Sequence, residues 1–209
     1  EKYYQEAVHF WELVTGNRCY APGGTGEGEM FRQKGRIGSL LTENTQESCA
    51  SYNMLKLTRE LYRFRTEARY MDYYERTLLN HILAASERSS SGETTYFFPL
   101  APGSRRTFEG ENSCCHGTGM ESPFQFRDAL YFRKGDTLYL PLLIPSVLEV
   151  PEEDLHIRLE QDARDPEKMH LRLQGPFRTV LLRRPSWCRE DAQVQVMEGD
   201  AAVLAPKEA

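Results

Sequence analysis

Apolar residues recur every third or fourth position in the first part of the chain. Tyr4, Val8, Trp11 and Val14 form such a stripe, which predicts an amphipathic helix ending before Gly16-Asn17. A second stripe runs from Ser48 to Phe64 through Tyr52, Leu55, Leu61 and Phe64, widened by Met54 and Leu57. Thr66 is placed to cap a third helix carrying Tyr70, Tyr73, Leu78, His81 and Ile82. Between the first two helices, Pro22-Gly23-Gly24-Thr25-Gly26-Glu27-Gly28-Glu29 is too rich in glycine for a helix and suits a tight loop over a site. Past residue 127 the period changes to two. Ala129-Leu130-Tyr131-Phe132 and Thr137-Leu138-Tyr139-Leu140 flank Lys134-Gly135-Asp136, which reads as a hairpin. Further strands are expected at Leu155 to Leu159, His170 to Leu173, Thr179 to Leu182 and Gln193 to Val196. Ile157 and Leu159 alternate with His156 and Arg158, so one face is dry and the other wet. The chain therefore divides into a helical part, 1–127, and a β part, 128–209, with a small polar loop at residues 89–92.

Composition narrows the function. With 209 residues, 40% apolar and 27% charged, the chain can fold around one good core or two modest ones. Its formal charge of -5 and its short basic clusters, Arg105-Arg106 and Arg183-Arg184, give no stripe for nucleic acid. Those arginines read as a solvated face or as carboxylate partners. No membrane span is expected, because the apolar run from Leu138 to Val150 is short and broken by Pro141 and Pro145. The chain opens directly on a helical pattern without an initiating methionine, as a piece of a longer gene product would. Five cysteines, an odd number, exclude a complete disulfide framework within the chain and suit a reducing compartment, the cytoplasm. Cys19 and Cys188 read as small packed side chains.

The remaining cysteines carry the chemistry. Cys114 and Cys115 stand beside Gly117 and Gly119, which predicts a sharp turn that aims two thiols at one place. Glu47-Ser48-Cys49 offers a carboxylate and a third thiol at a helix start. Three thiolates and one carboxylate fit tetrahedral Zn2+. Unliganded buried thiols and a redox or vicinal-disulfide pair are the alternatives. Four protein ligands leave no position for water, so a ligating sulfur is the better nucleophile. Glu29, on the glycine-rich loop, can then protonate a leaving group, or it is a surface carboxylate. Tyr96 can offer a hydroxyl to a sugar or pack in the core, and His81 reads as satisfied helix packing. His116 can donate to a sulfur or be an ordinary loop histidine. Glu121 can orient the cysteine turn or form an ion pair, and Asn44 and Thr45 turn the chain before Glu47.

These residues resemble a known family. Thr45-Gln46-Glu47-Ser48-Cys49-Ala50-Ser51-Tyr52-Asn53-Met54-Leu55, Tyr73-Tyr74-Glu75-Arg76-Thr77-Leu78-Leu79-Asn80-His81 and Cys114-Cys115-His116-Gly117-Thr118-Gly119-Met120-Glu121-Ser122 resemble signatures of the β-L-arabinofuranosidase-type glycoside hydrolases, family 127 and its relative family 146. Gly23-Gly24, Gly28-Glu29-Met30-Phe31 and Leu182-Arg183-Arg184-Pro185-Ser186-Trp187 are similar too. The resemblance implies a multidomain α+β arrangement: an (α/α)6 helical barrel, here incomplete, followed by antiparallel β-sandwich material. It implies Zn2+ on Glu47, Cys49, Cys114 and Cys115, with Cys114 as nucleophile and Glu29 as acid/base. Tyr96 and His116 would contact the substrate, an L-arabinofuranoside or related plant-type glycan. A complete barrel takes more chain than 209 residues offer, so the first helices and their polar residues are expected to be missing. The expected parent is a retaining hydrolase, with this piece weakly active or inactive by itself. An opened barrel would expose apolar helix faces and favour self-association. The competing expectations are a non-catalytic, zinc-stabilised structural or carbohydrate-binding fragment and a vicinal-cysteine sensor.

Overall fold

The computed structural model of the protein describes residues 1–87, 92–108, 113–188 and 193–194. The three stripes become helices α1 (Lys2–Thr15), α2 (Ser48–Phe64) and α3 (Ala68–Thr77). Thr66 does not cap α3. Glu67 holds that position on extended backbone, without a side-chain cap bond. Helix α3 runs on through a π segment, Leu78–Ile82, and a closing turn, Leu83–Ala85. A fourth helix, α4 (Cys114–Arg127), stands where a sharp glycine turn was expected. The loop at residues 89–91 lies outside the described residues.

Helix α2 is the centre of the helical part, touching α1, α3 and α4. Its buried Met54, Leu55, Leu61 and Tyr62 meet Trp11 and Val14 of α1 and Tyr70, Met71 and Tyr74 of α3. The aromatic residues fit because their polar ends find partners. Trp11 donates Nε1 to Thr58 Oγ1 at 2.8 Å, and its ring meets Tyr70 and Tyr73 edge-on.

The hairpin forms from β1 (Phe132–Lys134) and β2 (Thr137–Leu140), turning at Gly135 with φ 61. Ala129 and Leu130 belong to the turn after α4 rather than to a strand. Strands β3 (Ser146–Val150), β4 (Leu155–Gln161) and β5 (Met169–Gln174) make an antiparallel sheet in that order. Strand β3 falls inside the run that Pro141 and Pro145 punctuate; the strand starts once the second proline is passed. β6 (Thr179–Leu182) pairs parallel with β2, so the β part is mixed rather than wholly antiparallel. Along β4, Leu155, Ile157 and Leu159 are buried and His156 and Arg158 exposed, as the alternation predicts. Leu138 and Leu140 of one sheet share a core with Leu155 and Ile157 of the other. Gln193 and Val194 are not in a strand, and residues 195–196 lie outside the described residues.

A polar strap joins the two parts. Arg183, its side chain only 3% exposed, donates to the Pro141 carbonyl and to Asp72 of α3. Its Nη2 lies 2.9 Å from Glu75 Oε2, and Trp187 donates Nε1 to the same oxygen at 2.8 Å. Asp72 also accepts the Ser186 amide at 3.0 Å. Removing one partner would leave buried charge uncompensated, so this strap fixes where the strands sit on α3. Arg183 thus has carboxylate partners, one of the two readings of its basic pair.

His81, in the π segment, is fully buried. Its Nδ1 meets Ser51 Oγ at 2.9 Å, while Nε2 has no hydrogen-bond partner among the described residues. Burial lowers its pKa from 6.5 to about 4. The folded state therefore binds this proton less readily than the unfolded chain, and stability falls as pH drops from about 6.5 towards 4. The full loss amounts to about 3 kcal/mol on the usual conversion. His81→Gln should flatten this limb, measured by urea unfolding at pH 7 and pH 4.5; an unchanged pH slope contradicts the assignment.

Candidate metal centre and active site

The site begins as a ladder of short backbone pairings. Residues 25–27 pair with 45–47, and 46–48 pair with 96–98. Gln46 N donates to Gly26 O at 2.8 Å, Glu47 N to Thr25 O at 3.0 Å, and Ser48 N to Tyr96 O at 3.0 Å. Thr45, expected to turn the chain, is buried and donates Oγ1 to the Phe98 carbonyl at 3.0 Å. Gly24 is forced by close approach: a Cβ there would fall 2.5 Å from both Gln46 Oε1 and His81 Nδ1. Farther out, Glu27 and Met30 exchange backbone bonds around Gly28 (φ 54) and Glu29 (φ 63). Positive φ at both central residues marks the mirror-image turn that joins hairpin strands. Glu29 adopts it despite its Cβ, at a cost of about 1 kcal/mol, and stands exposed at the tip.

Helix α4 supplies the paired thiols. Its sequence is a poor helix former, with Gly117, Gly119 and an internal Pro123. A capping box starts it: Ser113 Oγ accepts from the His116 amide, and His116 Nδ1 accepts from the Ser113 amide at 3.2 Å. His116 Nδ1 is thereby committed to the cap and not to a sulfur. Gly119 lets the helix dock against Thr94, whose Oγ1 a Cβ would meet at 2.3 Å. A Cβ at Gly117 would meet nothing within 4 Å among the described residues. The glycines therefore allow docking within a helix rather than form a turn.

Helices α2 and α4 run side by side in the same direction. Cys49 Sγ lies 3.4 Å from Thr118 Oγ1, Tyr52 donates to Glu121 Oε2 at 2.5 Å, and Arg59 pairs with Asp128 at 3.1 Å. Each step along α2 is matched by an equal step along α4, which only parallel neighbours allow. Both helix N-termini thus open on one spot, where their dipoles favour negative charge. Glu47 occupies the N-cap of α2 and Cys49 its first turn; Cys114 and Cys115 are the first residues of α4. One ligand atom from each of these four residues lies within 4.8 Å of all the others.

The electrostatics of this cluster are uneven. Burial pushes Cys115 well above the ordinary thiol range and raises Cys49. Burial, then the charge of Glu29, raises Glu47. Cys114 moves down, chiefly through its contact with the Tyr96 hydroxyl and then through Cys49. The Tyr96 hydroxyl lies 3.7 Å from Cys114 Sγ and donates to Glu29. That carboxylate contact is the main reason the Tyr96 pKa is raised, so the phenol stays protonated. Three of the four converging groups resist ionisation, chiefly because they are buried without a compensating cation. A divalent ion would reverse this. The donor set, three sulfurs and one carboxylate oxygen, fits zinc chemistry.

Every sequence-predicted site residue lies in this region: Glu29, Glu47, Cys49, Tyr96, Cys114, Cys115 and, on the cap side, His116. Tyr52 and Thr118, which tie the two ligand helices, are not evident from sequence, since Tyr52 reads as one more stripe residue. Cys19 packs beside Tyr73, and burial raises its pKa to about 11, as a packed thiol would behave. The family model for the β-L-arabinofuranosidase GH127 catalytic domain matches residues 1–128. The chain belongs to this family. Similar solved structures include a GH127 β-arabinofuranosidase, with TM-score 0.69 and 24% identity, covering 85% of this chain and 29% of that one. A GH127 β-L-arabinofuranosidase from Geobacillus stearothermophilus T6 gives TM-score 0.65 at 21% identity, covering 90% and 33%. A third, described as a glycoside hydrolase, gives 0.65 at 18% identity, covering 91% and 38%. The chain thus spans about a third of the length of these relatives, and at such identities the likeness shows the fold. No curated protein sequence matches the chain.

The two α4 glycines should respond oppositely to alanine. Gly117→Ala gains helix propensity in open space and should raise stability by about 0.5–1 kcal/mol. Gly119→Ala should lower the melting temperature, because the Thr94 segment must move. Equal shifts in thermal melts of the two variants would refute this docking.

Proposed function

We propose that this chain carries the zinc–cysteine half of the active site of a retaining β-L-arabinofuranosidase. The observation that carries the reading is the Tyr96 hydroxyl, which reaches both Glu29 and Cys114 beside a closed Glu-Cys-Cys-Cys cluster. Glu47, Cys49, Cys114 and Cys115 would hold the metal, which when bound keeps the sulfurs deprotonated near neutral pH. Cys114 is the one exposed member among the three clustered thiols, so its sulfur can meet a sugar. In the first step Cys114 Sγ bonds to the anomeric carbon as the glycosidic C–O bond breaks, and Glu29 gives its proton to the leaving oxygen. In the second, Glu29 takes a proton from water, the water oxygen bonds to the same carbon, and the C–S bond breaks. Two displacements at one carbon retain configuration. Tyr96 orients the acid/base and steadies the departing thiolate, and His116 borders the substrate from the cap of α4.

The helices 1–127 would belong to an (α/α)6 barrel and 128–209 to a β-sandwich. The substrate is an L-arabinofuranoside or related plant-type glycan. Five unpaired thiols suit the cytoplasm, a reducing compartment. Exposed Phe10, Phe64, Leu83 and Phe124 on the helices favour self-association or a covering segment of a longer protein.

Metal analysis and turnover of aryl β-L-arabinofuranosides test this, in the complete protein and in the 209-residue chain. The complete protein should hold one zinc per chain and release arabinose with retained configuration. Cys114→Ser should abolish turnover, and Glu29→Gln should lower it by about 10²–10⁴-fold. The 209-residue chain alone should be weakly active or inactive. Metal-dependent melting without turnover of any arabinofuranoside by the complete protein would leave only a structural zinc site and overturn the enzyme.

A further inference from the structure

The four ligand groups come from two helix starts, so the site closes only while α4 keeps its place along α2. Little within α4 secures that place. Gly117 and Gly119 weaken its first turns, and Pro123 removes a backbone donor from its middle. The ligand-bearing turn is thus partly uncoupled from the rest of the helix. On the ligand side of Pro123, beyond the contacts among the clustered thiols themselves, two side-chain hydrogen bonds among the described residues reach α2. Cys49 to Thr118 involves a ligand itself. The other is Tyr52 to Glu121, at 2.5 Å.

Tyr52 lies one turn beyond Cys49 and is buried at 6% exposure. Its buried ring limits how far the hydroxyl can move. Glu121 is exposed and could be fully hydrated instead, yet its carboxylate accepts the phenol. A charge-assisted bond of this kind is directional. The Lys56 ammonium lies 5.5 Å from the centre of the Tyr52 ring, which further confines it.

We propose that Tyr52 and Glu121 form a positioning brace that sets the Cys114–Cys115 turn against Glu47 and Cys49, and so tunes metal affinity. The inference rests on the metal reading of the cluster. Neither residue touches the metal ligands' donor atoms or the reacting sulfur. Both act by holding one helix start at a fixed height along the other, as residues behind metal ligands commonly do. Glu121 therefore orients the cysteines through a tyrosine, and forms no ion pair among the described residues.

The test uses the complete protein and compares wild type with Tyr52→Phe, Glu121→Gln, Glu121→Ala and the double variant Tyr52→Phe/Glu121→Ala. Zinc affinity is read by chelator competition, and site geometry by the absorption spectrum of the Co2+-loaded protein. Tyr52→Phe and Glu121→Ala should each weaken zinc by about 10–100-fold. Both should also shift the Co2+ bands. Glu121→Gln, which still accepts the phenol, should restore most of the affinity. The double variant should be no worse than either single change, because one contact is lost in each case. Asp128→Asn, at the far end of the same helix pair, should leave affinity and spectrum unchanged. Wild type that takes up neither ion overturns the metal reading and the brace together. Wild-type binding matched by Tyr52→Phe and Glu121→Ala, with identical Co2+ spectra, overturns the brace alone. Equal weakening by Asp128→Asn overturns it as well, since helix contact in general would then be responsible.

Discussion

Everything at the site depends on two helices starting at the same point and running the same way. A helix start presents unpaired amides and a positive dipole end, and either alone stabilises one nearby anion modestly. Two starts together create a place where a carboxylate and three thiols can be gathered. Gathering them has its own cost, since burial and mutual repulsion push Glu47, Cys49 and Cys115 towards their neutral forms. The arrangement is therefore a frame short of positive charge. That shortage, more than the presence of sulfur, makes a cation the natural complement.

The surrounding structure serves this frame. The core of α2 against α1 and α3 fixes one helix start, with Tyr70, Tyr74 and Leu55 almost wholly buried. The ladder from residues 25–27 through 45–47 to 96–98 fixes what faces it, so Glu29 and Tyr96 arrive from separate segments on a common backbone scaffold. The Arg183 strap binds the strands to α3, whose π segment brings His81 beneath the glycine-rich loop. A π segment adds a residue to the turn and re-aims the side chains that follow. Here it carries His81 under the loop that bears Glu29, with one ring nitrogen lacking a partner among the described residues.

Periodicity made α1, α2 and α3 legible because their buried faces are continuous and apolar; Ser48–Phe64 emerges with both ends correct. It failed for α4, whose sequence has no such face and contains two glycines and a proline. That helix exists through its capping box and its docking on Thr94 and α2, which are tertiary facts. Strand β3 was hidden by its neighbouring prolines, and the parallel pairing of β2 with β6 depends on chain reversal far from either strand. At the site, residue chemistry pointed to the four residues that the structure brings together, since cysteines are few and their roles narrow. Tyr52 escaped notice because a tyrosine in an apolar stripe looks the same whether its hydroxyl is idle or bonded.

The helical placement of Cys114 and Cys115 also resolves how adjacent thiols can do different work. On a sharp turn, both would share one environment and compete for one role. On a helix, successive side chains point about 100° apart. Cys115 consequently turns inward, fully buried, where its thiol is pushed up and only a metal would keep it ionised. Cys114 turns outward to solvent and to Tyr96, which pulls its pKa down without a metal. Under the proposed mechanism, exchange of the two residues would put the proposed nucleophile in the core and the proposed ligand at the surface. The two environments thus follow from the helix itself, and a glycine-tolerant, weakly helical segment is adequate as long as its first turn stays wound. The Ser113–His116 capping box winds that turn and contacts with α2 hold its register, so the geometry of the cysteine pair depends on α2 as much as on α4.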